Sequence, residues 1–297
     1  MTRLRAALGT RARLFAKRDD AIPFGFGGNK VRKLQLVAAQ AQTEGADMLI
    51  TCGGVQSNHA RATAAVAARL GMRCAIVANG TAPPMPTANA LLNRLLGAEI
   101  VYVATRDDRA PMMERVADES RRAGRRPFVI PLGASTGLGA AAYAQAIGEL
   151  LQQMAAPDVI VHATSSSGTQ AGLVAGCRLH ELPTRVIGVS ADDSSEAIQR
   201  EIRRVLAELE AVIAAEPGSL SPPELEVDDR FVGDGYGIAT EASDEAARLG
   251  ARTESLFLDP TYTAKAMAGL ISRVRSGEFE EATVLFWHTG GQVGLFR

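Results

Sequence analysis

The chain contains four lysines, Lys17, Lys30, Lys33 and Lys265, against twenty-eight arginines. Two of the four stand three residues apart in "GGNKVRK", Gly27 to Lys33. Where arginine is the default surface cation, a retained lysine points to what a guanidinium cannot do, chiefly act as an amine nucleophile. Gly27 and Gly28 permit backbone conformations closed to other residues, and Asn29 has the side chain of a helix cap. This predicts Lys30 in the first turn of a helix and Lys33 one turn later on roughly the same side. Cations at a helix N-terminus oppose the macrodipole, by about a few tenths of a kcal/mol each. Placing Lys30, Arg32 and Lys33 there hints at function, with solvated side chains as the plain alternative.

Three other glycine-bearing turns follow or precede regular elements, where open parallel sheets put their ligand sites. In "TCGGVQSNHARATAAVAARLG", Ser57 or Asn58 caps an Ala-rich helix whose first amides could receive a carboxylate, although capping alone accounts for them. In "VIVHATSSSGTQAGLVAG", a strand enters a loop of Ser165, Ser166, Ser167, Gly168 and Thr169 and then a helix. Hydroxyls and free amides at such a start form a phosphate cradle. The segment lacks the Lys-Ser/Thr of a nucleotide P-loop and the G-x-G-x-x-G of a dinucleotide site, so a single small phosphate ester fits it better. "LFWHTGGQVGLFR" reads as a buried strand ending at His288 and Thr289. His288 suits a satisfied core position, whereas Thr289 falls where a strand end meets the crevice. A nucleophilic lysine, a phosphate cradle, a carboxylate site and a basal hydroxyl together suit pyridoxal phosphate held as a Schiff base.

The elements that must position these turns alternate. Strands are expected at 13–17, 47–52, 74–79, 100–104, 127–130, 159–163, 185–190 and 283–287. Helices are expected at 31–43, 57–70, 87–96, 109–123, 138–154, 168–180 and 194–215. Such alternation implies parallel strands crossed over by helices, an α/β architecture with both sheet faces covered. The proline-rich stretches 82–86 and 216–223 read as loops.

Composition narrows the function classes. A net charge of -1, with arginines spread along the chain, gives no electrostatic footprint for nucleic acid. No apolar run approaches the roughly 18 residues of a membrane span, and the start lacks a secretory pattern, so the expectation is a cytoplasmic protein. Cys52, Cys74 and Cys177 have no metal-ligand spacing and read as reduced thiols.

The blocks "KRDD", "GFGGNKVRKL", "GGVQSNHARATAAVAARLG", "SSSGTQAGL", "GDGYG", "DPTYTAKAMAGL" and "HTGG" resemble, in order and over nearly the whole chain, the D-cysteine desulfhydrase and 1-aminocyclopropane-1-carboxylate deaminase family. The resemblance implies a tryptophan synthase β-subunit-like fold, pyridoxal-phosphate fold type II, with two open, twisted, mostly parallel sheets flanked by helices. It implies a large cofactor domain of residues 1–33 and 145–297, a smaller inserted domain of residues 34–144, and a homodimer. By that resemblance Lys30 is the Schiff-base lysine and α-proton base. Gln56, Ser57 and Asn58 face the substrate, with Asn58 also toward the cofactor's phenolic oxygen. Ser165 to Thr169 cradle the phosphate, Tyr236 and Tyr262 stand over the reacting carbons, and Thr289 bonds the pyridine nitrogen.

The implied reaction is α,β-elimination on a small amino acid such as D-cysteine, giving pyruvate, ammonia and sulfide. Cyclopropane deamination, L-cysteate desulfonation and β-replacement are alternatives on the same scaffold, and a protein that binds the cofactor without turnover is a third class. Cyclopropane-opening relatives carry Glu after the tyrosine of the "DPxY" block, where this chain has Thr263, which argues for the desulfhydrase-like side.

Overall fold

The computed structural model describes residues 1–296. The elements run α1 (Thr2–Leu8), β1 (Arg13–Arg18), α2 (Asn29–Thr43), β2 (Met48–Gly54), α3 (Asn58–Leu70), β3 (Arg73–Asn79), α4 (Ala88–Leu95), β4 (Glu99–Val103), α5 (Arg109–Arg122) and β5 (Pro127–Val129). They continue with α6 (Gly137–Gln153), β6 (Val159–Thr164), α7 (Gly168–Leu179), β7 (Arg185–Ser190), α8 (Ser195–Val212), β8 (Glu226–Asp228), α9 (Glu241–Glu254), α10 (Thr263–Arg275) and β9 (Thr283–His288). The strands form two sheets, ordered β1-β9-β6-β7-β8 and β4-β3-β2-β5. Every pairing is parallel.

Alternate side chains of each strand serve opposite layers. In β6, Ile160 packs with α6, α7 and α8, while Val159 and Val161 pack with α1, α9 and α10. In the second sheet Leu49 and Ile76 face α2 and α3, and Ile50 and Val77 face α5. Both faces of each sheet are therefore covered, which is why these strands are continuous apolar runs.

The eight expected strands and seven expected helices are all present, with ends displaced by at most three residues. Four elements were missed. α10 is buried on nearly every side, so it has no amphipathic stripe to reveal its period. α9 buries only Ser243, Ala246 and Gly250 and depends on a capping box at Thr240 and Ser243. β8 is a three-residue edge strand, "EVD", and α1 buries only Leu4.

A buried acid ties the first strand to the rest. Asp19 is fully buried and accepts hydrogen bonds from Arg32 Nε at 2.8 Å, Trp287 Nε1 at 2.8 Å and the Tyr143 hydroxyl. Its carbonyl accepts from Gly28 N at 2.7 Å. Arg32 also pairs with Glu149 at 2.7 Å, whose carboxyl is drawn down to about 2, chiefly by the hydrogen bond from Arg32. One carboxylate thus joins the end of β1, α2, α6 and β9.

Replacing Asp19 with Ala would leave Arg32, Trp287 and Tyr143 with buried, unpaired donors. The expected cost is about 3–5 kcal/mol, the range for stripping one partner from a buried ionic site. Glu245→Gln, at an ion pair whose partners are each nearly half exposed, should cost less than about 1 kcal/mol. Urea unfolding of the two variants beside the parent checks the contrast.

Candidate active site

The C-terminal ends of β1, β2, β6 and β9 all feed loops that meet around one cavity of about 220 Å³. That volume lies below the roughly 300–1,000 Å³ of sites for drug-sized ligands, so it suits a compact ligand. The meeting of the first and last loops depends on glycine. Asn29 N donates to Thr289 O at 2.9 Å. A Cβ on Gly290, which has φ 94°, would lie 2.6 Å from Gly28 Cα. Gly28, at φ 98° and ψ 166°, is itself the N-cap of α2. Asn29 therefore does not cap the helix, contrary to expectation. It is the first helical residue, and its amide donates to Thr169 Oγ1 at 3.0 Å, fastening α2 to the start of α7.

Lys30 then lines the cavity, with Nζ 3.4 Å from Ser166 Oγ. Lys33 does not line it. That residue is fully buried beneath the loop and donates to Gly133 O at 3.2 Å and Ser135 Oγ at 3.4 Å. Burial lowers the Lys30 amine to about 8. Lys33 is pushed well below its ordinary value, first by burial and then by the charge of Lys30. Between the cavity and Lys33 lies the serine loop. Ser135 Oγ donates to Ser166 Oγ at 2.9 Å and accepts from Gly168 N at 3.3 Å. Ser167 takes a left-handed φ of 65° just before α7, and the first amides of that helix have no partner within it.

Opposite, Ser57 caps α3 by accepting from Ala60 N at 3.2 Å, and Ser57 and Asn58 both line the cavity. His59 beside them is buried, with Nε2 2.7 Å from Thr51 Oγ1 and Nδ1 unpartnered. Because Thr51 donates to Ile130 O, His59 Nε2 is the donor to Thr51. Burial and the two lysines hold the ring neutral.

The phenols of Tyr236 and Tyr262 share a hydrogen bond at 2.5 Å, ring edge against ring face. Burial raises both above the ordinary phenol value, so both are neutral and either can donate. Arg106 lies 5.2 Å above the Tyr236 ring and 3.6 Å from Asp192.

Residues 1–290 match the family described as pyridoxal-phosphate dependent enzyme. The chain belongs to that family. Among solved structures, one described as an ACC deaminase homologue is 33% identical with a TM-score of 0.92, covering 100% of this chain and 89% of that one. Threonine deaminase isoform 2 from Solanum lycopersicum is 16% identical at TM-score 0.71, covering 97% and 77% of the two chains. A hydrogen sulfide-producing enzyme from Fusobacterium nucleatum is 16% identical at TM-score 0.67, covering 94% and 91%. The fold is fold type II of the pyridoxal-phosphate enzymes, the protein is an enzyme, and its cofactor is pyridoxal phosphate. The residues present fit that group, since one cavity offers a depressed amine, a serine loop ending at a helix start, and Thr289 at its base.

Of the expected site residues, Lys30, Ser57, Asn58, Ser165, Ser166, Ser167, Thr169, Tyr236, Tyr262 and Thr289 come together around the cavity. Two do not line it. Gln56 turns to α4, donating to Thr87 O and accepting from Ala90 N, each at 3.3 Å. Gly168 lies behind the loop, where a Cβ would come within 2.9 Å of Lys33 Nζ. His288 is buried outside the cavity lining and accepts from Gly290 N at 3.2 Å. Sequence reasoning missed His59, Arg106, Arg109 and Asp192 as lining groups. His59 lay within a quoted block, whereas the arginines carried no local signal.

Lys30→Ala should abolish the visible absorption band of the bound cofactor, while Lys33→Met should keep the band and weaken cofactor retention. Only the neutral amine is nucleophilic. The rate of cofactor addition to the cofactor-free protein should therefore rise with pH, with a midpoint near 8. Stopped-flow absorbance across pH 6.5 to 9.5, roughly bracketing that amine, checks both statements.

Proposed function

We propose that the chain catalyses α,β-elimination on a small amino acid, with D-cysteine the leading candidate, to give pyruvate, ammonia and sulfide. The observation that carries this reading is one cavity joining an amine held near 8 with a pair of neutral, hydrogen-bonded phenols. Such a pair of groups can take a proton from one carbon and return one to a leaving group on the next.

Pyridoxal phosphate, when bound, supplies the electron sink that makes the α-proton removable. Lys30 takes that proton as the Cα–H bond breaks. Ser57, Asn58 and the start of α3 hold the substrate carboxylate. The Tyr236–Tyr262 pair delivers a proton to sulfur as the Cβ–S bond breaks and its electron pair leaves with the sulfur. Water completes conversion to pyruvate and ammonia. Ser165 to Thr169 would hold the cofactor phosphate, and Thr289 would offer its hydroxyl to the ring nitrogen. A neutral hydroxyl there leaves that nitrogen less firmly protonated than a carboxylate would, which suits elimination. In the same proposal residues 1–33 and 145–297 form the cofactor domain and 34–144 the smaller one. The five-stranded sheet drawing on β1 and strands from β6 onward supports it, as does the other sheet's use of β2 to β5.

A second reading, opening of a cyclopropane amino acid, is favoured by the 33% identity to a deaminase homologue. Against it, Thr263 is buried and bonds Asp259 at 2.8 Å, so this position brings no carboxylate to the phenols.

Both enantiomers of cysteine, serine and cysteate, with 1-aminocyclopropane-1-carboxylate, separate these readings by product. Pyruvate with sulfide from D-cysteine is expected. 2-Oxobutyrate as the main product would replace elimination with ring opening, and no turnover of any of them would overturn both. Tyr236→Phe should lower kcat by about 10²–10⁴-fold, the range for losing a positioned proton donor.

A further inference from the structure

A second cavity, of about 310 Å³, adjoins the catalytic one and shares with it only Gly54. Val55, Ile76, Ala78, Pro86, Ile100 and Tyr102 give it apolar walls. Two polar side chains of α4 complete it. Asn93 is only 3% exposed, and its buried Oδ1 has no hydrogen-bond partner among the described residues. A buried carboxamide oxygen without a donor is unfavourable, and a ligand donor relieves it. Arg94, one residue on, is exposed at the same cavity, and its guanidinium has neither an ion pair nor a hydrogen bond among the described residues.

An unpaired guanidinium, an unpaired carbonyl oxygen and apolar walls together match the three parts of an apolar α-amino acid. Its carboxylate would meet Arg94, its ammonium Asn93, and its side chain the walls.

The helix that bears these groups also holds the catalytic loop. Asn89 Nδ2 donates to Gln56 O at 2.9 Å and to Asn58 Oδ1 at 2.8 Å. Gln56 in return bonds Thr87 O and Ala90 N at the start of α4. We propose that this cavity is an effector site for a small apolar amino acid, coupled through α4 to Gln56 and Asn58. The site is distinct from the substrate position and holds whichever substrate the catalytic cavity takes. A ligand that binds α4 more tightly in one arrangement biases the carboxylate-facing loop toward it, and substrate reciprocally biases ligand affinity.

L-Leucine is the probe. Calorimetric titration of the cofactor-loaded enzyme should give saturable binding, weakened about tenfold or more in Arg94→Gln and in Asn93→Ala, the scale of losing one charge-assisted or buried hydrogen bond. Binding should persist in Lys30→Ala, and hydrogen exchange over residues 54–60 should slow when leucine is added to the parent. Arg94 is exposed, so its variant stays informative even where Asn93→Ala fails to fold. No binding at saturating leucine would overturn the proposal, as would an affinity unchanged in Arg94→Gln. Loss of binding in Lys30→Ala would also overturn it, because leucine would then lie in the catalytic cavity.

Discussion

Backbone meets backbone where Gly28 passes Gly290, and the rest of the site depends on that approach. A side chain on Gly290 would overlap Gly28, and one on Gly28 would press on the Thr289 carbonyl. With only hydrogens there, Asn29 N reaches Thr289 O and Gly28 N reaches Asp19 O. Those two bonds fix the start of α2 between β1 and β9, and Lys30 follows from that placement. The long sequence separation is no obstacle, since β1 and β9 are adjacent parallel strands in register from Arg13–Thr283 to Arg18–His288.

Charge explains why the start of α2 carries two lysines and an arginine. Arg32 points down to Asp19 and Glu149, which balance it within the fold. Among the described residues Lys30 and Lys33 have no acidic partner and are held instead by Ser166, Gly133 and Ser135. Burial depresses both amines, and the charge of Lys30 depresses Lys33 further. In the proposed function the missing counter-charge comes from the cofactor, whose phosphate would sit against the serine loop that Lys30 faces. An arrangement that opposes the helix dipole in the isolated chain becomes favourable once a dianion shares the space. Arginine at Lys33 would place a planar fork in a space where Gly168 has already given up its Cβ to the ammonium.

Much of this was readable from the amino acids because the informative features are local. Glycine turns, a capping serine and apolar runs each act through their own few residues, so the strands and most helices appear where the periodicity puts them. Elements that lack a local signal were missed. α10 is buried all round, and β8 exists only because β7 offers it an edge. Asn29 was read by residue type as a cap, and Gln56 through the resemblance as a substrate contact, but the side-chain amide of each goes to a neighbouring helix. Arg106 had no signal at all, since its partners Tyr236 and Asp192 come from the other sheet.

Those cross-sheet contacts make enclosure and chemistry one problem. Lys30 and the serine loop belong to the floor, Ser57, Asn58 and Arg106 come from the loops of the four-stranded sheet, and the phenols come from segments flanking α9 and α10. Tyr236 is anchored from below by Lys265, a buried amine whose three donors go to the carbonyls of Ala191, Val232 and Gly235 at 3.1, 2.7 and 2.9 Å. From above it is covered by Arg106. One side is therefore fixed by satisfied hydrogen bonds in the interior, and the other by a half-exposed guanidinium that water can replace. A change in the spacing of the two sheets would be felt first at Arg106, which would lift from the Tyr236 ring while the Lys265 anchor held. The phenol pair would keep its place relative to the five-stranded sheet, and the loop carrying Ser57 and Asn58 would move with the four-stranded one.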